Sequence, residues 1–141
     1  MRIRKITLLT PVQPLGRVEI HRISKLAFGW CKKTLGVNNR KVYDLSTGVA
    51  IGDEQECGEY DPEDNKITIY WNSMMNTEEI IRTCIHEWTH YKQPMLAHYH
   101  KIKLPYSKHP MERAAVRAEN KLFRQCWSSI RDKVNRKYAT K

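Results

Sequence analysis

Residues 76–94 constrain this chain more than any other stretch. Asn76, followed three residues later by Glu79, reads as a helix N-cap with its capping-box acid, and Glu78 and Glu79 put negative charge where the helix dipole favours it. Ile80, Ile81, Cys84, Ile85 and Trp88 recur at three- and four-residue spacing and make one apolar face. Pro94 disfavours helical geometry at Gln93, which predicts a stop near Tyr91 or Lys92. Beside the apolar face lies His86-Glu87-Trp88-Thr89-His90. Its two imidazoles are rotated by about 40° and displaced by about 6 Å, so they leave the helix on one side and can share a metal ion. Glu87 can take a proton from a water held by such an ion without ligating it, the division of labour in metal-assisted peptide hydrolysis. Two surface histidines on an ordinary amphipathic helix are the plainer alternative.

Two imidazoles do not complete a catalytic zinc site, which uses three protein ligands and leaves the fourth position to water. Leu96 excludes a ligand six residues beyond the second His. Glu112 is the first choice, because it stands in the first turn of a predicted helix, where the dipole favours its ionised form. His109 and Glu119 are rivals, as are His98 and His100, which read more simply as members of a polar loop. Other divalent metals bind such sets, so Zn2+ is itself an expectation.

The rest of the chain predicts a single α+β domain of 141 residues. Residues 2–9 are read as a short strand, broken off by Pro11, Pro14 and Gly16, and a packing helix with Trp30 as its core anchor follows over residues 18–35. Residues 41–44 and 49–51 are short strand candidates. Residues 57–60 and 66–71 flank Asp61-Pro62-Glu63-Asp64-Asn65, a turn composition, and predict a hairpin whose second strand lies alongside the central helix. The acids between Asp53 and Asp64 lack the spacing of a calcium loop and are read as a solvated hairpin. Pro110 suits a first helical position. Apolar residues from Met111 to Val134 then predict a long last helix over about 110–136, with Ala114, Ala115 and Ala118 allowing close helix approach and Arg113, Arg117, Lys121, Arg124 and Arg131 on its other face.

Charge is segregated along the chain. Residues 1–41 carry ten Lys/Arg against one acid, residues 42–79 one Lys against ten acids, and residues 101–141 twelve Lys/Arg against three acids, within a net charge of +10. The basic termini suit an anionic partner such as nucleic acid, or let the ends embrace the acidic middle. No apolar run reaches the length of a membrane span, and the N-terminal one is too short for a signal peptide, so a cytoplasmic protein is expected. Cys31, Cys57, Cys84 and Cys126 are far apart with no C-x-x-C, and are read as reduced, mostly buried thiols.

His86 to His90, then His109-Pro-Met-Glu-Arg-Ala-Ala115 and Ala118-Glu119, resemble the compact gluzincin-type metallopeptidases of bacterial and phage genomes, and more distantly SprT-like proteins. The resemblance covers residues 57–120. It implies a zincin-like core, zinc held by His86, His90 and Glu112, Glu87 as general base, and a peptide or protein substrate. Such a peptide would add as a strand against residues 66–71. The N-terminal third has no counterpart in the family, and Tyr106 or His109 is left as stabiliser of the developing oxyanion. A basic nucleic-acid-binding protein with a structural or vestigial metal site, or a peptidase acting on nucleic-acid-bound proteins, is the competing reading.

Overall fold

The computed structural model describes residues 5–38, 44–52, 55–93 and 110–136. Among these residues the architecture is α+β, three helices and a small mixed sheet, and the order along the chain explains how the central helix is held. Helix α1 (Val12–Leu35) opens with a single turn, is interrupted by Gly16 at φ 75°, and continues until Gly36, whose amide bonds to the Lys32 carbonyl at 3.1 Å. The predicted break at Gly16 is therefore a kink between one added turn and the packing helix. Only a glycine adopts that left-handed geometry without strain. Ile20, Ile23, Ala27, Trp30 and Cys31 on α1 are buried.

Strand β1 (Ser46–Ala50) pairs in parallel with β3 (Lys66–Tyr70), and β2 (Gly58–Asp61) pairs with β3 antiparallel, giving the order β1-β3-β2. The β2–β3 hairpin matches the expected one. Asp61 Oδ1 accepts the amides of Glu63 and Asp64, and Asn65 takes a positive φ of 49° while its side chain accepts the Tyr60 hydroxyl at 2.7 Å. Short polar side chains with local hydrogen bonds suit that turn. Two expectations are corrected here. The strand predicted over residues 49–51 runs instead over Ser46–Ala50, and Asp44 lies outside any strand; residues 41–43 fall outside those described. β3 is the central strand, with partners on both sides, so it offers no edge to an incoming peptide. Among the described residues the sheet edges belong to β1 and β2.

Helix α2 (Thr77–Lys92) starts at Asn76, whose side chain accepts the Glu79 amide at 3.2 Å, and ends at Gln93, held extended at ψ 133°. Glu79 reaches back to the Met75 amide at 2.5 Å. Two further orphan donors of the first turn are met from afar: the Thr77 amide bonds to the Thr10 carbonyl and the Glu78 amide to the Leu8 carbonyl, both at 2.9 Å. Residues 5–9 are accordingly no strand, contrary to expectation, because Leu8 and Thr10 spend their carbonyls on the start of α2. Ile6 is fully buried, its backbone clamped in both directions by the Asn135 side chain at 2.7 and 2.9 Å.

Helix α3 (Pro110–Asn135) crosses α2 and α1 and buries Ala115, Phe123, Cys126, Trp127, Ile130 and Val134. Arg22, itself paired with Glu19, donates to the Lys133 and Val134 carbonyls and so closes the end of α3 from α1. Cys31, Cys84 and Cys126, one from each helix, are buried free thiols whose pKa burial pushes up, in Cys126 to about 12. They serve as small apolar side chains. Aromatic contacts from Phe28 to Trp88, Trp88 to Tyr91 and Tyr91 to Tyr60 tie α1, α2 and β2 together. No helix among the described residues is long and apolar enough to cross a membrane.

Candidate metal centre

Helix geometry puts His86 and His90 on the same side of α2, and α3 delivers Glu112 from its first turn to meet them. His86 Nε2 lies 2.6 Å from Glu112 Oε1 and His90 Nε2 lies 3.0 Å from Glu112 Oε2. One ligand atom from each of the three falls within 4.8 Å of the others, and the two rings stand edge to face at 4.9 Å between centroids. The outward nitrogens are held as well. Glu119 Oε1 sits 3.0 Å from His86 Nδ1, and Gln93 Oε1 sits 2.8 Å from His90 Nδ1 while its amide donates to the Met111 carbonyl. Fixing the far nitrogen of a ligating imidazole is how a second layer of residues orients the first.

Among the rivals for third ligand, Glu119 is therefore brought to the far side of His86, away from the shared point. His98, His100, His109 and Tyr106 lie outside the described residues. The roles of Glu119 and Gln93 as holders of the two rings were not anticipated. For Glu119 a signal existed, since it follows Glu112 by two helical turns and so shares its face; for Gln93 none did, because its reach back to His90 depends on the chain leaving the helix there.

Glu87 occupies the adjoining position. It is 5% exposed, and its Oε2 is buried with no hydrogen-bond partner among the described residues. Burial pushes its pKa up, His90 and His86 pull it down, Glu112 and Glu56 push it up, and the result is about 7. For His86, burial opposes the charged form but is outweighed by hydrogen bonds to Glu112 and Glu119 and the charge of Glu87, leaving the pKa at about 10. His90 is raised too: burial lowers it, and the Glu112 hydrogen bond and Glu87 charge overcome that. A concentration of carboxylates around two imidazoles is thus balanced by protons, a role a divalent cation would take over.

Two imidazole nitrogens and a carboxylate oxygen, converging with their supporting groups in place and a buried carboxylate beside them, form a donor set that fits zinc. The point opens into a cleft of about 630 Å³. Residues 55–57 and Gly58 at the start of β2 line it on one side, Thr83 and Glu87 from α2, and Val116 and Glu119 from α3. Gly58 is the close approach. A Cβ there would stand 2.7 Å from Thr83 Cγ2, 3.1 Å from the Thr68 carbonyl oxygen and 3.3 Å from Glu87 Cγ, so any larger residue would push β2 and α2 apart beside Glu87. Arg82, bound to Glu78 at 2.9 Å and to Asn120, lies near Glu119 at 3.9 Å and stacks over Phe123, which links the cleft side of α2 to α3. No protein-family model, curated protein or solved structure matches this chain.

Proposed function

We propose that this protein is a zinc-dependent peptidase with a zincin-like core, in which His86, His90 and Glu112 hold the metal and Glu87 is the general base. The observation that carries this reading is the convergence of those three side chains within 4.8 Å beside a buried carboxylate at the head of a cleft. Zinc bound there supplies Lewis acidity toward a substrate carbonyl and lowers the pKa of water to about 7. Glu87 Oε2, lacking a partner of its own among the described residues, receives the proton from the attacking water and passes it to the leaving amine. Glu119 and Gln93 keep the two imidazoles in the tautomer that leaves each Nε2 free for the metal. An extended peptide pairs along the outer edge of β2, beside residues 55–58 that line the cleft, rather than along the enclosed β3.

Metal content and peptide hydrolysis test the reading together. Wild type should carry one zinc per chain; Glu112→Ala should lose it. Glu87→Gln should keep zinc and lose activity by about 10²–10⁴-fold, the scale of a general base. A wild-type protein that takes up no zinc, or a Glu87→Gln variant that still hydrolyses, overturns it.

A further inference from the structure

The outer face of α3 has no part in the metal centre, yet its charges are sorted as sharply as those of the cleft. Arg113, Arg117, Lys121, Arg124 and Arg131 are all exposed. On an α-helix they fall within an arc of about 80° and span about 27 Å. The acids of α3 lie elsewhere on it: Glu112 and Glu119 turn to the imidazoles, and Asp132 sits beyond the arc, 3.9 Å from Arg131 with its side chain 97% exposed. Arg113, Arg117, Lys121 and Arg124 pair with no carboxylate among the described residues. The opposite face is anchored by Phe123, Cys126, Trp127, Ile130 and Val134, so the row is presented on a fixed rod.

We propose that this face binds the phosphate backbone of nucleic acid without reading its bases. A length of about 27 Å along a duplex axis carries about sixteen phosphates on the two strands together, more than enough for five cations. Four of the five are arginines, whose planar fork matches phosphate oxygens. An anionic membrane surface is the weaker partner, because a helix lying on lipid buries its own apolar side chains there and the large ones of α3 are spent in the core, save Val116 on the cleft side. The cleft on the other side of α3, rich in carboxylates, repels the same polyanion and keeps it to the outer face. This binding needs neither zinc nor Glu87, so it stands or falls apart from the peptidase reading.

The test is fluorescence anisotropy of a labelled random-sequence duplex of about 20 base pairs, titrated with the full chain across a range of salt concentrations. Five contacts give a slope of log affinity against log salt of about −4 to −5. Replacing Arg117, Lys121 and Arg124 by Gln together should reduce that slope by about 3 and weaken low-salt binding by about 10²-fold. A control carrying Lys25→Gln, Lys32→Gln and Lys33→Gln, exposed on α1 and equal in charge removed, should retain most of the binding. All six positions are exposed, so circular dichroism and thermal midpoint should stay at wild-type values in both. The proposal is overturned by absence of binding at low salt, by equal weakening in the two triple variants, or by vesicles containing phosphatidylserine that bind as tightly and lose binding with the same α3 residues.

Discussion

Replacing Gly58 by Ala probes the seam that sets β2 against α2, the helix of His86 and His90. The new methyl carbon would lie 2.7 Å from Thr83 Cγ2, well inside contact distance, and 3.1 Å from the Thr68 carbonyl oxygen of the paired strand. Gly58 does not have a positive φ, so alanine meets no backbone penalty and gains about 0.4–1 kcal/mol from a less mobile unfolded chain. Forcing one methyl into a filled site costs about 1–3 kcal/mol, which leaves a net loss of about 0–2.6 kcal/mol. In urea unfolding the midpoint should fall with little change in slope. Glu87 Cγ is 3.3 Å from the same methyl, so Glu87 shifts too, and on the proposed peptidase reading activity should fall by about tenfold with zinc content intact. Thr83→Ser removes the Cγ2 that makes the worst contact. Combined with Gly58→Ala it should return part of the lost stability, a coupling of about 1 kcal/mol in a double-mutant cycle. A Gly58→Ala protein more stable than wild type, or additive effects in the cycle, would refute the close seating of β2 on α2.

Glu119→Ala should weaken zinc affinity by about 10–100-fold in competition with a chromophoric chelator while saturating at the same stoichiometry, since Glu119 steadies His86 rather than ligating; loss of stoichiometry would make it a ligand. In the metal-free protein His86 stays protonated up to about pH 10 and the His90 pKa is also raised, whereas ligation requires both neutral. Zinc uptake near pH 8 should therefore release about one to two protons per site into weak buffer, fewer as pH climbs past 10, and apparent affinity should rise with pH below that point. No proton release at pH 8 contradicts the charge balance described. A thiol reagent should modify Cys57 first, because it is half-buried while Cys31, Cys84 and Cys126 are buried, and all four only after unfolding. Burial, then the charges of Glu79 and Glu119, raise the Cys57 pKa, so its rate should keep increasing above pH 9, which stopped-flow absorbance would follow.

What was legible beforehand is what short-range chemistry decides. The cap at Asn76, the apolar spacing through Trp88 and the stop before Pro94 define α2 within one stretch of chain, and with it the shared side of His86 and His90. The turn between Asp61 and Asn65 closes the hairpin locally, and Pro110 starts the helix that carries Glu112. Even the sorting of Arg113, Arg117, Lys121 and Arg124 away from the apolar face of α3 follows from the helical repeat alone.

Tertiary structure decided everything that joins distant segments. Residues 5–9, β-branched and apolar enough to read as a strand, serve the first turn of α2, because unmet amides at that helix end are a stronger demand than local propensity. The parallel pairing of β1 with β3 places β3 inside the sheet and moves the available edge to β2, an outcome with no signature in alternation, which says which face is buried but not which neighbour a strand takes. The angle at which α3 crosses α2 sends Glu112 to both imidazoles and Glu119 behind one of them, although either carboxylate had been a candidate ligand. Local propensity and periodicity are set by neighbours within a few residues; which side chains meet across the core depends on packing that no single segment contains.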